Sequence, residues 1–496
     1  MTTVVGASAG EHSSAPGDKG LKTGALGFVS SVVIGVASTA PGYSLAASLG
    51  AVAASVAFQA PAILLVAFIP MFFIAASYYS MNRVDPDCGT TFTWVTKGLG
   101  PWVGWTAGWA LLLADVLVMA SLSQIAGKYT FLLFSANGAA NSTFWVTVIG
   151  VIWIVVMTWI CYVGIEISAK TQWFLLAAEI VTLVIFAIVA LAKVYHGSFT
   201  DSVHPSLSWL NPFSVSSSAL AAGVLTAVFI YWGWDTAVAV NEETADASRT
   251  PGIAAIVSTL LLLVIYIVVS FAAQAVHGPK YLADNSDDIL SALGGQVMPW
   301  HLDKLLIIAV LTSASASTQT TILPATRSML SMATHKAAPK SFGSINERLT
   351  PGVSTIWMGV VSIVWYVVLT LVSQNILTDS ITATGLMISF YLGITGLACV
   401  LYWRKALLND LRTFLLAGLG PAIGFLMLAY VFVKECINLA SPANSTSGQS
   451  WLGLGPPLAI AILTALLGVV LMLLMWASDK TFFRQRTQTA DAEMTL

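Results

Sequence analysis

Long apolar stretches alternate with short polar ones along almost the whole chain. Twelve of the apolar stretches reach about 20 residues, the length that a helix needs to cross the roughly 30 Å hydrocarbon layer of a bilayer. The pattern therefore predicts an all-α polytopic membrane protein with twelve transmembrane helices. Their expected limits are 24–51, 53–81, 101–127, 144–165, 171–192, 219–240, 253–276, 305–326, 353–373, 381–403, 413–433 and 454–477.

The polar parts of the chain are too short for soluble domains. The longest loops, near 82–100, 193–218 and 277–304, each have fewer than 30 residues, whereas a domain needs about 50 or more. The first 20 residues are polar, with no apolar segment before a cleavage site, so no signal peptide is expected. The tails 1–23 and 478–496 are expected to be disordered and cytoplasmic.

The distribution of basic residues predicts the orientation. With both tails in the cytosol, 16 of the 21 Lys and Arg residues fall on the cytosolic side and five on the outside. Cytoplasmic loops of membrane proteins carry such an excess of positive charge. We therefore expect a multi-pass protein of the plasma (inner) membrane, with the lipid bilayer as a partner and both termini in the cytoplasm.

Composition narrows the classes of function. Only 9 % of the 496 residues are charged, against about 25 % in soluble domains. The net charge of −2 leaves no basic surplus to neutralise phosphates, so nucleic acid is not an expected partner. The four cysteines have no pair spacing, and the sequence shows no nucleophile–base pair or phosphate-binding Gly loop. We therefore expect no enzyme, no metal site and no cofactor.

Spans 1 and 6 each contain a segment that a regular helix avoids. Span 1 reads GVASTAPGYS from Gly35 to Ser44, and span 6 reads FIYWGWD from Phe229 to Asp235. An unsatisfied backbone group costs several kcal/mol in hydrocarbon, so unwound backbone is tolerated only where it lines a cavity or binds something. A simple Pro kink and ordinary aromatic packing are the alternative interpretations.

The positions of these two segments favour broken helices. Spans 1 and 6 are corresponding members of two five-span halves of opposite topology, which is the arrangement of inverted-repeat transporters. The expected division is a first repeat over 24–195, a second repeat over 196–404, and two further spans within 405–477.

Three ionisable acids, Asp115, Glu179 and Asp235, lie inside the predicted spans, and no Lys, Arg or His lies deep in any of them. A charge at mid-bilayer costs about 2.5–3.5 kcal/mol on insertion scales. Protonation, a bound cation or a positively charged substrate would each offset that cost.

Three segments carry recognisable motifs. They read RVDPDCGTTFTWVTKGLGPWVGWTAGW from Arg83 to Trp109, AVFIYWGWDTAVAVNEETADASRTP up to Pro251, and LPATRSMLSMA at the end of span 8. Together they resemble the amino acid, polyamine and organocation (APC) superfamily of secondary transporters, in its actinobacterial type of amino acid permease. The resemblance covers almost the full chain and implies a ten-helix core of two inverted repeats with two peripheral helices.

The resemblance also implies a substrate site near the membrane midplane, between spans 1 and 6. Backbone N–H groups of the first break would bind a substrate carboxylate at a half-helix N-terminus, and carbonyls of the second break would bind its ammonium. A Trp of the second break would stack on the substrate as part of a gate. The expected substrate-binding residues are Ser38, Thr39, Ala40, Gly42, Tyr231, Trp232, Gly233, Trp234 and Asp235.

The three acids have more than one interpretation. Glu179 stands where many proton-coupled members of the superfamily carry a lysine, so it would carry the proton, bind sodium with span 8 hydroxyls, or form structural hydrogen bonds. The candidate hydroxyls are those of Ser315, Ser317 and Thr318. Asp235 would either neutralise a cationic substrate group or cap the second half-helix. Asp115 matches no motif, and we expect it to form hydrogen bonds between helices.

The function expected from these features is secondary transport of amino acids or related amines, driven by protons or by exchange. The acid-only interior favours cationic amino acids or polyamines, and a neutral amino acid symporter or exchanger is the alternative. A channel or a nutrient sensor is the alternative of another class. Broken helices without rings of pore-lining charge favour a carrier over a channel, and the oligomeric state stays open.

Overall fold

The computed structural model describes residues 19–286, 288–298, 302–373, 375–445 and 447–496. These residues form α-helices joined by turns, with two isolated β-bridges and no strand. The helices are α1 Phe28–Thr39, α2 Pro41–Val56, α3 Ala60–Val84, α4 Thr91–Leu99, α5 Pro101–Leu133, α6 Asn137–Ala140, α7 Thr143–Val163, α8 Ile165–Tyr195, α9 Ser217–Tyr231, α10 Thr236–Ala239, α11 Thr250–Asp284, α12 Ile289–Val297, α13 Asp303–Thr334, α14 Gly352–Val372, α15 Ile376–Trp403, α16 Leu411–Thr413, α17 Gly420–Leu439 and α18 Pro456–Ser478.

Ten helical stretches among the described residues are long and apolar enough to cross a membrane. The first, Phe28–Val84, has 57 residues and contains a 3-10 turn that begins at Ala57, where φ is 52°. It therefore supplies two of the predicted spans, and the shorter apolar helix α9 lies at the predicted sixth span. The predicted all-α polytopic fold is confirmed.

The first predicted break lies between α1 and α2. Ala40 has a left-handed conformation, with φ 48° and ψ 66°, and Pro41 begins α2. Proline disfavours the helical conformation in the residue before it, and its missing N–H is no loss at the first position of a helix. The local sequence therefore ends one helix and starts the next in mid-membrane.

The second break lies between α9 and α10. Trp232 is extended, with φ −72° and ψ 147°, and Gly233 has φ 120°. A Cβ on Gly233 would lie 2.7 Å from the carbonyl carbon and oxygen of Ser38. The two broken segments therefore touch each other, and glycine is required both by the backbone conformation and by the contact.

The helices α5 and α13 lie at the centre of the molecule. In their most apolar windows 89 % and 83 % of the residues are buried, against 28 % in α7 and α18. α5 packs against α13 and α15. α7 and α18 instead expose large apolar side chains such as Trp159 and Leu474, which suits contact with lipid.

Both ends of the described chain pack on one face of the molecule, called here the terminal face. Leu26 forms a β-bridge with Thr244 near the N-terminal end. Near the C-terminus, Phe482 and Phe483 are buried, and the Gln488 N–H donates to the carbonyl of Lys97 at 2.7 Å. The expectation of a disordered C-terminal tail is therefore wrong, because its aromatic residues pack on the helices. Residues 1–18 of the N-terminal tail lie outside the described residues.

One basic residue lies deeper in a helix than expected. Span 8 was predicted to end at 326, but α13 continues to Thr334 and includes Arg327. Its side chain is fully buried and binds Glu243 through two hydrogen bonds of 2.9 Å, from Nε and from Nη2. The predicted end of span 8 therefore needs correction, and the buried charge is offset by a bidentate partner.

Candidate functional site

Glu179 joins three helices at the first break. It lies on α8, and its side chain is buried. Its Oε1 accepts hydrogen bonds from the Gly42 N–H at 2.6 Å and from the Ser313 hydroxyl of α13 at 2.8 Å. The Tyr43 N–H donates in turn to the Ser313 oxygen at 3.0 Å. One carboxyl group thus holds the start of α2 against α8 and α13.

The start of α2 is electrostatically suited to a carboxylate. The first N–H groups of a helix have no partner inside the helix, and the helix dipole places partial positive charge there. Pro41 has no N–H, and the next two N–H groups go to Glu179 and Ser313. Glu179 therefore fills the place that the sequence assigned to a substrate carboxylate, while its Oε2 is buried and has no hydrogen-bond partner.

The other predicted donors of the first break are engaged differently. Ser38 and Thr39 are the last two residues of α1, and the Ala40 N–H donates to the carbonyl of Ala37 at 3.2 Å. The Ser38 hydroxyl is 2.8 Å from that of Thr236, across the second break. These residues connect the two breaks, and Gly42 alone among the four gives its N–H to a carboxyl group.

The structure separates the predicted ion-coupling residues. The Ser317 hydroxyl donates to the Ser38 carbonyl at 2.9 Å. The hydroxyls of Thr318 and Ser315 donate to carbonyls of their own helix. The hydroxyl that binds Glu179 is that of Ser313, which the sequence analysis missed. Its spacing of four residues from Ser317 places both on one face of α13 and could have indicated it.

A chain of polar contacts lies at the second break. The Trp232 indole N–H donates to the Tyr391 hydroxyl of α15, and that hydroxyl donates to Asp235 Oδ2 at 2.8 Å. Asp235 is buried, and its side chain forms no capping hydrogen bond with α10. Asp235 is therefore tied to α15 through Tyr391, which the sequence analysis did not select.

Asp115 of α5 lies within electrostatic reach of Asp235. The Asp115 side chain is buried, and its Oδ2 has no hydrogen-bond partner. No ion pair joins either carboxyl group to a base among the described residues. The hydrogen bonds between helices that we expected of Asp115 are thus missing at this oxygen, and two acids share one buried region.

The aromatic residues of the second break differ in their surroundings. Trp234 is fully buried and packs edge-on against Tyr78, with ring centroids 5.1 Å apart. Tyr231 packs in the same way against Tyr266 at 5.0 Å. Trp232, by contrast, belongs to the polar chain with Asp235. Of the two candidate gate residues, Trp232 is therefore the one in contact with the acidic region.

A cluster of charged side chains lies on the terminal face of the molecule. Lys19 Nζ is 2.9 Å from Asp87 and 2.5 Å from Glu242. Three residues, Asp87, Cys88 and Glu242, have side-chain atoms of the kind that bind metal ions within 4.8 Å of one another. The Lys19 ammonium binds among these atoms. Burial alone would lower the pKa of Lys19, but Cys88, Asp87 and Glu242 raise it above its ordinary value.

The model of the family described as "Amino acid permease" matches residues 23–464. The chain belongs to this family. Membership points to a transporter and not to an enzyme, and it agrees with a multi-pass membrane protein.

Curated relatives of this family member carry names with different substrates. The chain is 24 % identical over 307 residues to the branched-chain amino acid permease BcaP of Lactococcus lactis, covering 59 % of this chain and 64 % of the relative. It is 26 % identical over 351 residues to the cationic amino acid transporter 3, mitochondrial, of Arabidopsis thaliana, covering 68 % and 56 %. It is 21 % identical over 306 residues to the arginine/ornithine antiporter ArcD2 of Lactococcus lactis, covering 57 % and 60 %. The chain thus spans less than two thirds of the length of these relatives.

A solved structure shares the fold. The crystal structure of MhsT in complex with L-phenylalanine has a TM-score of 0.57 to this family member, at 16 % sequence identity. The match covers 81 % of this chain and 98 % of that one. At this identity the likeness concerns the fold alone.

Proposed function

We propose that the protein is a secondary transporter of amino acids or related amines in the plasma membrane, with a preference for cationic substrates. The observation that carries the preference is the pair Asp115 and Asp235, buried beside the second break with no base paired to either among the described residues. A cationic group bound there would offset the cost of two carboxylates in a low-dielectric interior.

A neutral amino acid is the second candidate substrate. The similarity to a branched-chain amino acid permease supports it, as does the aromatic character of the second break. In that case protonation of Asp115 or Asp235, instead of the substrate, would offset the charge.

We further propose that Glu179 couples transport to protons. Its carboxylate occupies the start of α2, and its free Oε2 offers a place for a proton. Protonation there removes the negative charge and so weakens the attraction to the helix dipole. The Gly42 N–H then becomes available to the carboxylate of a substrate. Proton and substrate would therefore favour each other's binding, as a symporter requires.

The test is uptake into proteoliposomes that contain the purified protein. We expect an inward-directed proton gradient to accumulate arginine, ornithine or putrescine in preference to leucine. Accumulation of leucine alone would assign the protein to the neutral alternative. Failure to accumulate or exchange any amino acid or amine would contradict the proposed function.

A further inference from the structure

A cavity of about 260 Å³, with a partly polar wall, lies on the face opposite the terminal face. Part of its wall comes from α2 and part from α9, the two half-helices that run from the breaks towards that face. Ala47 and Leu225, which line it, are each six residues from the break end of their helix. At 1.5 Å per residue the cavity therefore begins about 9 Å from the breaks. The remaining wall comes mostly from α15 and α17, with Pro457 of α18.

Two buried carboxyl groups line this cavity. Asp379 of α15 is 1 % exposed and Glu435 of α17 is 3 % exposed. Each carboxyl group has one oxygen that accepts a hydrogen bond. The Ser373 hydroxyl donates to Asp379 Oδ2 at 2.7 Å, and the Asn438 amide donates to Glu435 Oε2 at 3.3 Å. The other oxygens, Asp379 Oδ1 and Glu435 Oε1, have no hydrogen-bond partner.

Both acids escaped the sequence analysis because they lie just outside the predicted spans. Span 10 was predicted to begin at 381 and span 11 to end at 433. The helices extend further, so α15 includes Asp379 and α17 includes Glu435.

Among the described residues, neither carboxyl group forms an ion pair. No Lys, Arg or His is among the described lining residues. Lys434, which precedes Glu435 in the chain, acts on it electrostatically but does not line the cavity or form an ion pair within the described residues. Ser447 is a further neutral neighbour of Asp379. The two carboxyl groups lie in the wall of a space large enough for a ligand, and each has a buried oxygen without a hydrogen-bond partner. Buried carboxylates of this kind call for a positively charged partner.

We propose that this cavity is a cation-binding vestibule, in which Asp379 and Glu435 bind the ammonium or guanidinium group of a substrate on its way to the breaks. The proposal rests on the proposed transport function and assigns the substrate class at a second site. The remaining lining includes Ala51, Leu225, Ile381 and Pro457, which suit the alkyl part of an amine better than a bare metal ion. The cavity holds its ligand before the ligand reaches Asp235.

The test compares kinetic constants of three variants in proteoliposomes: Asp379→Asn, Glu435→Gln and the double variant. Both substitutions keep the size of the side chain and remove its charge. We expect the KM for arginine to rise about tenfold in the double variant, the loss of roughly one charged contact, while kcat stays unchanged. The KM for leucine should not change. Asp284→Asn is the control, because this carboxyl is exposed on the same face outside the cavity.

The outcomes separate the vestibule from the transport function. An unchanged KM for arginine in the double variant would overturn the vestibule and leave the proposed transporter intact. A second result would also overturn the vestibule: uptake by the native protein depends on Na⁺ or Ca²⁺, and the double variant loses this dependence while its KM for arginine stays constant. The cavity would then bind an inorganic cation. Equal loss of arginine and leucine uptake would assign the two acids to folding. If the native protein transports nothing, the proposed function itself fails.

Discussion

The hydrogen-bond partners of the Glu179 carboxyl group are all donors. Gly42 and Ser313 both donate to its Oε1, and the start of α2 adds partial positive charge. A lysine at this place, as the resemblance leads one to expect, would face a helix end of its own sign. The exchange of a base for an acid is therefore matched by the polarity of the groups around it.

The first prediction at this scale concerns Glu179→Gln. A glutamine keeps an oxygen that accepts from Gly42 and Ser313, so the fold should survive, but it cannot gain or release a proton. We expect exchange of labelled substrate between the two sides to persist and accumulation driven by a pH gradient to disappear. Both are measured in proteoliposomes.

A matched control for this variant lies on the same helix. Glu166→Gln removes an exposed carboxyl at the start of α8 and should leave both activities unchanged. Native pH-driven accumulation in Glu179→Gln would refute the proton carrier. Joint loss of folding and both activities would make Glu179 structural, and sodium-dependent uptake by the native protein would favour the sodium alternative.

Gly233 gives the second prediction, since a methyl group added there would lie 2.7 Å from the Ser38 carbonyl. Gly233→Ala should lower the free energy of unfolding of the purified protein by roughly 1–3 kcal/mol, and with it the melting temperature, because the residue is also held at a positive φ. Gly295→Ala in α12 is the control, because its new methyl group would meet no atom within 4 Å. Equal melting temperatures for the two variants would show that the breaks can move apart at no cost.

At the scale of elements, the N-terminal segment ties two distant parts of the chain together. Lys19 binds Asp87, which follows α3, and Glu242, which follows α10. Glu243, the next residue, binds Arg327 of α13. The segment after the second break is thus fixed by two basic residues from different elements. A movement of Glu242 and Glu243 away from Lys19 and α13 has to break these ion pairs.

The third prediction is that Lys19→Met lowers the stability of the native state by about 3 kcal/mol, because it leaves two enclosed carboxylates without their ammonium. Lys22→Met is the control, since the ion pair of Lys22 with Glu166 is about half exposed and such pairs contribute about 0–1 kcal/mol. Melting curves of the two variants in detergent measure the difference. Equal effects would mean that solvent replaces Lys19 freely.

The same ion pair predicts a pH dependence. Burial would raise the pKa of Asp87, but Lys19 and His335 hold it below the ordinary value of 3.8. A carboxyl with a lowered pKa stabilises the native state above its unfolded pKa, and this contribution is lost as the pH falls through the folded value. The difference in the free energy of unfolding between the native protein and Lys19→Met should therefore be largest at neutral pH and shrink below pH 3.8. A gap that is constant with pH would exclude Asp87 as the partner that matters.

At the scale of the whole molecule, the fifth prediction is its orientation in the membrane. We expect the terminal face to lie in the cytoplasm, because most of the Lys and Arg residues fall on that side. A cysteine introduced at exposed Ser208 should react with an impermeant maleimide in intact cells. One at exposed Ser344 should react only after permeabilisation, and the native protein gives the background. The reverse pattern would contradict the orientation.

The sequence predicted much of the fold because the rules involved are local. A stretch of about 20 apolar residues spans a bilayer wherever it occurs, and Pro41 ends α1 through its own ring and missing N–H. The same reasoning located both breaks and the three acids of the interior. The helix ends were less accurate, because α13, α15 and α17 continue past the apolar stretches and include the charged residues Arg327, Asp379 and Glu435. The division into repeats at 195/196 and 404/405 stays a prediction.

What the tertiary structure decided is which of these residues meet. Glu179 finds Gly42 at a separation of 137 residues and Ser313 at 134, and Tyr391 reaches Asp235 across 156. Such contacts depend on how whole helices pack, so neither spacing nor hydropathy encodes them in a way that one sequence displays. The chain thus determined where unwound backbone and buried charge occur. The packing of α8, α13 and α15 around the breaks determined which groups satisfy them and which oxygens remain free.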